Sequence, residues 1–232
     1  MKLVVENLKK KFGLNEVLKG LNFSFEEGKI YALLGRNGAG KTTFFNCLNE
    51  DLDIDAGSFY LLEDDVKKKI ESEDLGYVLS TPTVPDFLTG REFIKFFIDI
   101  NRDRIKDLKS IDEYFEMMKI DVKDRDKLLK DYSHGMKNKM QMLANIISDS
   151  KILLLDEPLT SLDVVVAEDM KNLLKSIKNN KVLIFSTHIM ELALSLCDEI
   201  VLLKDGLFEY VDRSNNTDDE IKNKILDALK EE

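Results

Sequence analysis

Apolar and polar positions follow two periods along this chain. Short apolar runs bounded by turn-forming residues recur at 2–6, 21–26, 29–34, 58–62, 75–79, 151–155, 181–186, 199–203 and 207–210. Such runs read as strands. Apolar residues at helical spacing fill the stretches from Lys41, from Thr89 through FIKFFIDI, over 110–119, 135–149, 164–179 and 188–197, and from Thr217. Thr89 with Glu92 makes a capping-box start. From 151 onward strand and helix alternate, the rhythm of a parallel sheet with crossover helices. Residues 85–149 hold helical patterns and no strong strand. They read as a helical subdomain inserted into an α/β core formed by 1–84 and 150–232, with Phe93, Phe96 and Phe97 in its interior or facing a partner. Two charged stretches, Lys9 to Lys11 and Glu63 to Asp74, read as solvated surface.

Composition narrows the class. The chain has 232 residues, 44% of them hydrophobic, enough for a substantial core. With 34 basic and 44 acidic residues the formal charge is −10. A nucleic-acid binder needs a basic face, so this balance points away from one. Cys47 and Cys197 lack metal-ligand spacing and sit in apolar patterns, as reduced buried thiols do. No signal peptide precedes the first strand, and no apolar run reaches the ~18 residues of a membrane span. The expectation is a cytoplasmic chain that reaches a membrane only through a partner.

The sharpest feature is the stretch after the 29–34 run. Gly35-Arg36-Asn37-Gly38-Ala39-Gly40-Lys41-Thr42, followed by Thr43, fits G-x-x-x-x-G-K-[ST] between a strand and a helix. A polyphosphate has to lie against several backbone N–H groups at once. Glycines permit the positive φ values and the close approach. The helix start adds unpaired N–H groups and a positive dipole end. Lys41 supplies a cation for the outer phosphates, and Thr42 a hydroxyl for Mg²⁺.

A second cluster closes the run ILLLDE. Asp156 and Glu157 end an apolar strand, where uncompensated carboxylates are expensive and where α/β sheets bind ligands. Asp156 is placed to hold Mg²⁺ opposite Thr42, and Glu157 to act as general base toward a water. His188 follows the strand ending Ser186-Thr187. It reads either as a structural histidine or as a group on the terminal phosphate. Phe12, near a turn, reads either as core or as a purine stacker.

In order and spacing, GRNGAGKTT, YSHGM, ILLLDEP, SLD and STH resemble the nucleotide-binding subunit of an ATP-binding-cassette (ABC) transporter, most similar to its exporter-like group. The resemblance covers almost the whole chain. It implies an α/β P-loop NTPase of the ABC ATPase fold, with a mixed-sheet core, an N-terminal antiparallel β part and an inserted helical subdomain. It implies ATP and Mg²⁺ as ligands. It assigns Phe12 to adenine stacking, residues 35–43 to the phosphates, and Thr42, Asp156 and Ser80 to the metal. Lys41, Glu157 and His188 become the catalytic groups. Ser133 and Gly135 match the signature motif, which grips ATP on a second nucleotide-binding subunit, and Ser161-Leu162-Asp163 match the loop that crosses the dimer interface. Separate transmembrane permease subunits are the further partners implied.

Two positions depart from the family pattern. His134 replaces the first glycine of the commoner signature, and Ser80 stands where Gln or Glu is usual. A soluble ABC ATPase acting on ribosomes or DNA is the competing expectation. Such relatives usually carry tandem cassettes or a long coiled coil, which this chain lacks. A regulatory module without turnover is a third, against which Glu157 argues.

Overall fold

The computed structural model describes residues 1–105, 107–159, 164–213 and 217–230. Ten strands and seven α-helices succeed one another among them. In chain order these are β1 (Lys2–Phe12), β2 (Asn15–Glu26), β3 (Ile30–Leu34), α1 (Lys41–Leu48), β4 (Ala56–Glu63), β5 (Val66–Lys68) and β6 (Leu75–Val78). Then come α2 (Gly90–Asn101), α3 (Ile111–Met117), α4 (His134–Ile147), β7 (Ile152–Asp156), α5 (Val164–Ile177), β8 (Val182–Thr187), α6 (Met190–Leu196), β9 (Glu199–Lys204), β10 (Leu207–Val211) and α7 (Asp218–Lys230). Short 3₁₀ turns at Val122–Asp124 and Leu129–Asp131 precede α4.

The strands form two sheets. One is antiparallel, in the order β2-β1-β4-β5, and the other has the order β10-β9-β3-β8-β7-β6. In the larger sheet every pair is parallel except β10 with β9. This is a mixed α/β architecture, in which the antiparallel sheet takes β1 and β2 from before the strand that leads into the glycine-rich loop and β4 and β5 from after α1.

The central strands β3, β7 and β8 of the larger sheet are buried on both faces, so they read as apolar runs, whereas the edge strand β10 is largely exposed. Side chains still alternate. Ile30, Ala32 and Leu34 of β3 join Leu153, Leu155, Leu183 and Phe185 on one face, in a core shared with Phe93, Phe115, Met140 and Leu143 of the helices between β6 and β7. Tyr31 and Leu33 point to the other face, with Phe44 and Phe45 of α1 and Leu3, Phe25 and Leu61 of the antiparallel sheet. The central strand is therefore fixed from both sides, and the loop that leaves it starts from a rigid base.

Helix starts follow their side-chain chemistry. Glu92 N–H donates to Thr89 Oγ1 at 3.2 Å, and Thr89 N–H donates to Glu92 Oε2 at 2.8 Å. Ser110 and Glu113 make the same reciprocal pair at α3. Each such cap is worth ~1 kcal/mol.

Several expectations change. β1 runs on to Phe12 and β2 begins at Asn15, so the lysine run lies in a hairpin. The charged stretch contains the short strand β5. Phe93 is core, but Phe96 is 51% exposed. Helix α6 begins at Met190, which leaves His188 in the connection after β8. Cys47 and Cys197 are free and buried, and burial pushes the Cys47 thiol up to about 11 and the Cys197 thiol well above its ordinary value. Among the described residues no helix is long and apolar enough to cross a membrane.

Candidate nucleotide site

The loop 35–40 leaves β3 at the carboxyl end of the parallel sheet, where open α/β sheets bind their ligands. Its glycines answer to space and to φ. A Cβ on Gly35 would stand 2.8 Å from the carbonyl oxygen of Leu203, a backbone atom of β9 that cannot step aside. Gly40 caps α1 at φ 106°, in the left-handed region that glycine favours. No side chain caps the first turn of α1, and no acidic residue lies in it. Its N–H groups are thus left for an anion.

Lys41 folds back beneath the loop. Its Nζ donates to the carbonyl of Gly35 at 2.8 Å and to that of Arg36 at 3.1 Å, and lies 3.9 Å from Glu157 Oε1. The side chain is only 6% exposed. Burial lowers its pKa, against the opposing pull of the Glu157 and Asp156 carboxylates.

Asp156 ends β7 and accepts two hydrogen bonds. Thr42 Oγ1 donates to Oδ2 at 2.8 Å, and Ser186 Oγ donates to Oδ1 at 2.5 Å. Glu157 follows with φ 48°, an unusual backbone for a residue with a Cβ. Its N–H donates to Ser186 Oγ at 3.0 Å, and His188 Nδ1 donates to its Oε1 at 3.1 Å. Register explains the convergence, because Asp156 pairs with Ser186 and Leu34 with Thr187, so β3, β7 and β8 end side by side.

The donor set fits the ligands the sequence implies. Thr42 and Asp156 offer one hydroxyl and one carboxylate in mutual contact. Mg²⁺ takes about one or two protein carboxylates, with water and phosphate oxygens completing its shell. Lys41, the uncapped helix start and the Cβ-free loop fit a polyphosphate.

Ser80 is exposed just past β6, the neighbour of β7. Phe12 ends β1 at 48% exposure, with Lys10 Nζ 5.3 Å from its ring centroid. A cavity of about 320 Å³ beside the loop is lined by Val17, Arg36, Asn37, Gly38 and Lys204, and Phe12 is outside that lining. Ser133 caps α4, its Oγ accepting from Met136 N–H at 3.2 Å. Ser133 and His134 are exposed and Gly135 is half-buried. Among the described residues no hydrogen bond or ion pair joins these signature residues to the loop of their own chain. Ser161, Leu162 and Asp163 lie outside the described residues. Ser186 escaped the sequence reading. Its only signal was a hydroxyl that, with Thr187, closes an apolar run, and the register of β8 on β7 then sets it opposite Asp156.

A loop of this shape, with a buried lysine, a helix-start hydroxyl and strand-end acids, defines a P-loop nucleotide-binding site. The sequence profile of the ABC transporter family matches residues 18–160, more than half of the chain, and the chain belongs to that family as an ATP-binding subunit. It is 30% identical to the uncharacterized ABC transporter ATP-binding protein YxlF of Bacillus subtilis, over 88% of this chain and 68% of that protein. It is 29% identical to the bacitracin transport ATP-binding protein BcrA of Enterococcus faecalis, over 87% and 66%. Other matched relatives are named for import. Among solved structures, cbiO1 of Clostridium perfringens, described as part of the ABC transporter complex cbiONQ, is 26% identical with a TM-score of 0.73, covering 89% of this chain and 86% of that one.

Proposed function

We propose that this chain is a Mg²⁺-dependent ATPase that works as a nucleotide-bound dimer and powers a membrane permease from the cytoplasmic face. The observation that carries the reading is the convergence of Lys41, Thr42, Asp156, Glu157 and His188 at the ends of β3, β7 and β8. Residues 35–43 bind the phosphates through backbone N–H groups. Lys41 exchanges its two carbonyl partners for phosphate oxygens. Phe12 offers a ring face to the purine from the edge of the antiparallel sheet. Thr42 and Asp156 would hold Mg²⁺, with Ser80 acting on it through a water. The bound metal neutralises phosphate charge. Glu157 takes the proton of the attacking water, and His188 orients the Glu157 carboxylate.

The dimer is inferred from Ser133 and Gly135. They open an exposed helix start and make no hydrogen bond or ion pair with their own phosphate loop. A second copy therefore supplies them, head to tail. Residues 85–149 act as the subdomain that carries this motif. An apolar groove of about 690 Å³ lies at its base, lined by Tyr77, Leu79, Thr83, Phe87, Phe93 and Phe96. It suits a short helix of the permease. Export as the direction follows only from the resemblance of Ser133-His134-Gly135-Met136 and the small helical insertion to the exporter-like group, since the matched relatives are named for import and for bacitracin transport alike.

The test is Glu157→Gln. The variant keeps every phosphate-binding group and loses the base. It binds ATP, elutes as a dimer with ATP in gel filtration, and loses turnover by about 10²-fold or more. Turnover equal to the parent would overturn the assignment.

A further inference from the structure

The geometry points to Ser186 as a positioning residue for hydrolysis: its one hydroxyl holds the Asp156 carboxylate and the Glu157 backbone in a fixed relation. The inference rests on the proposal that Glu157 is the base.

Ser186 is 0% exposed and follows Val182, Leu183, Ile184 and Phe185, all buried. A hydroxyl in such a place has no water to turn to and must find its partners within the protein. It finds two in different roles. As donor it bonds Asp156 Oδ1 at 2.5 Å, and as acceptor it takes Glu157 N–H at 3.0 Å. A serine oxygen can do both at once, whereas alanine or valine can do neither.

The backbone gives these bonds a purpose. Asp156 is the last residue of β7 paired with β8. At Glu157 the chain turns to φ 48°, a conformation that residues with a Cβ hold only when the surroundings fix it. Ser186 Oγ accepts the N–H at that turn. The turn sets where the Glu157 side chain starts, and so where its carboxylate reaches Lys41 and His188. Thr42, Asp156, Ser186, Glu157 and His188 thus form one unbroken hydrogen-bonded chain from the start of α1 to the connection after β8. Ser186 is the link by which the placement of the metal-binding acid fixes the placement of the base.

Two measurements test this on the full chain. The first is backbone amide hydrogen exchange across residues 154–159 without nucleotide, in the parent, Ser186→Ala and Ser186→Thr. Exchange should quicken about tenfold in Ser186→Ala and return toward the parent in Ser186→Thr, which restores the oxygen. The second is steady-state hydrolysis. Ser186→Ala should lower kcat about tenfold with KM for ATP within about threefold, because the phosphate loop is untouched. In the Glu157→Gln background the same substitution should change residual turnover less than about twofold, since its effect passes through Glu157. Unchanged exchange and unchanged kcat in Ser186→Ala would overturn the inference. So would an equal loss in the Glu157→Gln background, or no recovery in a folded Ser186→Thr. If Glu157→Gln itself turns over like the parent, the base assignment fails, and the exchange measurement still decides whether Ser186 clamps the turn.

Discussion

Replacing Lys41 with methionine separates what this residue does for ATP from what it does for the fold. Methionine matches most of the stem and removes the ammonium. In the folded chain that ammonium is 6% exposed and bonded to the carbonyls of Gly35 and Arg36. Each charge-assisted bond is worth ~1.5–3 kcal/mol. Against them stands the burial of the charge, which lowers the Lys41 pKa below 10.5 despite two nearby carboxylates. The folded state therefore holds the proton less tightly than the unfolded state. The resulting penalty is fully present at neutral pH and fades as pH rises through the folded pKa toward 10.5. Lys41→Met loses the bonds and the penalty together, and the nucleotide-free protein should stay within about 1 kcal/mol of the parent. ATP binding has no such offset. Losing one or two charge-assisted phosphate contacts should weaken it by about 10- to 10³-fold. Calorimetric ATP titration beside thermal unfolding, at neutral pH and again just below pH 10.5, reads both quantities. The parent should gain stability relative to Lys41→Met in the alkaline window. A variant that binds ATP like the parent but unfolds ~3 kcal/mol more easily would refute the reasoning and make Lys41 a structural cation.

Two further outcomes follow from the geometry. Ser80→Gln, which lengthens a side chain held to act on the metal through water, should lower the Mg²⁺ concentration for half-maximal hydrolysis by about threefold; an unchanged or higher value counts against that role. Phe87, 78% exposed on the groove, should crosslink to an integral membrane protein when replaced by a photoreactive residue in native membranes, and Phe87→Asp should weaken that association by about tenfold. Crosslinks confined to α7 would move the docking surface elsewhere.

The phosphate loop, the strand-end acids and the capped helix start at Thr89 were legible because each is a local pattern with its own chemistry. The N-terminal hairpin was not. From Lys9 to Phe12 the strand carries exposed or half-buried side chains, so pairing with β2 holds it, not burial. Register shifts after Val5 and around Leu8, with Asn7 at φ 48°, break the alternation that would have marked it. Strand β5 is exposed at all three positions and looks like any charged turn. Ser186 was hidden differently. Inside VLIFST it passes for a tolerated polar residue, and only the register of β7 on β8 sets its hydroxyl against Asp156 and Glu157. Side-chain chemistry reads along the chain, whereas cross-strand chemistry appears only after the strands are aligned.

The two sulfurs carry a practical consequence. Cys47 is 1% and Cys197 6% exposed, and burial holds both thiols protonated well past neutrality. Alkylating and spin-label reagents attack thiolates. The native chain should therefore be silent to them, and a cysteine introduced on the groove or near Ser133 would take a label without removal of either native one. Slow labelling at Cys47 or Cys197 would in turn time the opening of the core itself, a built-in clock for unfolding.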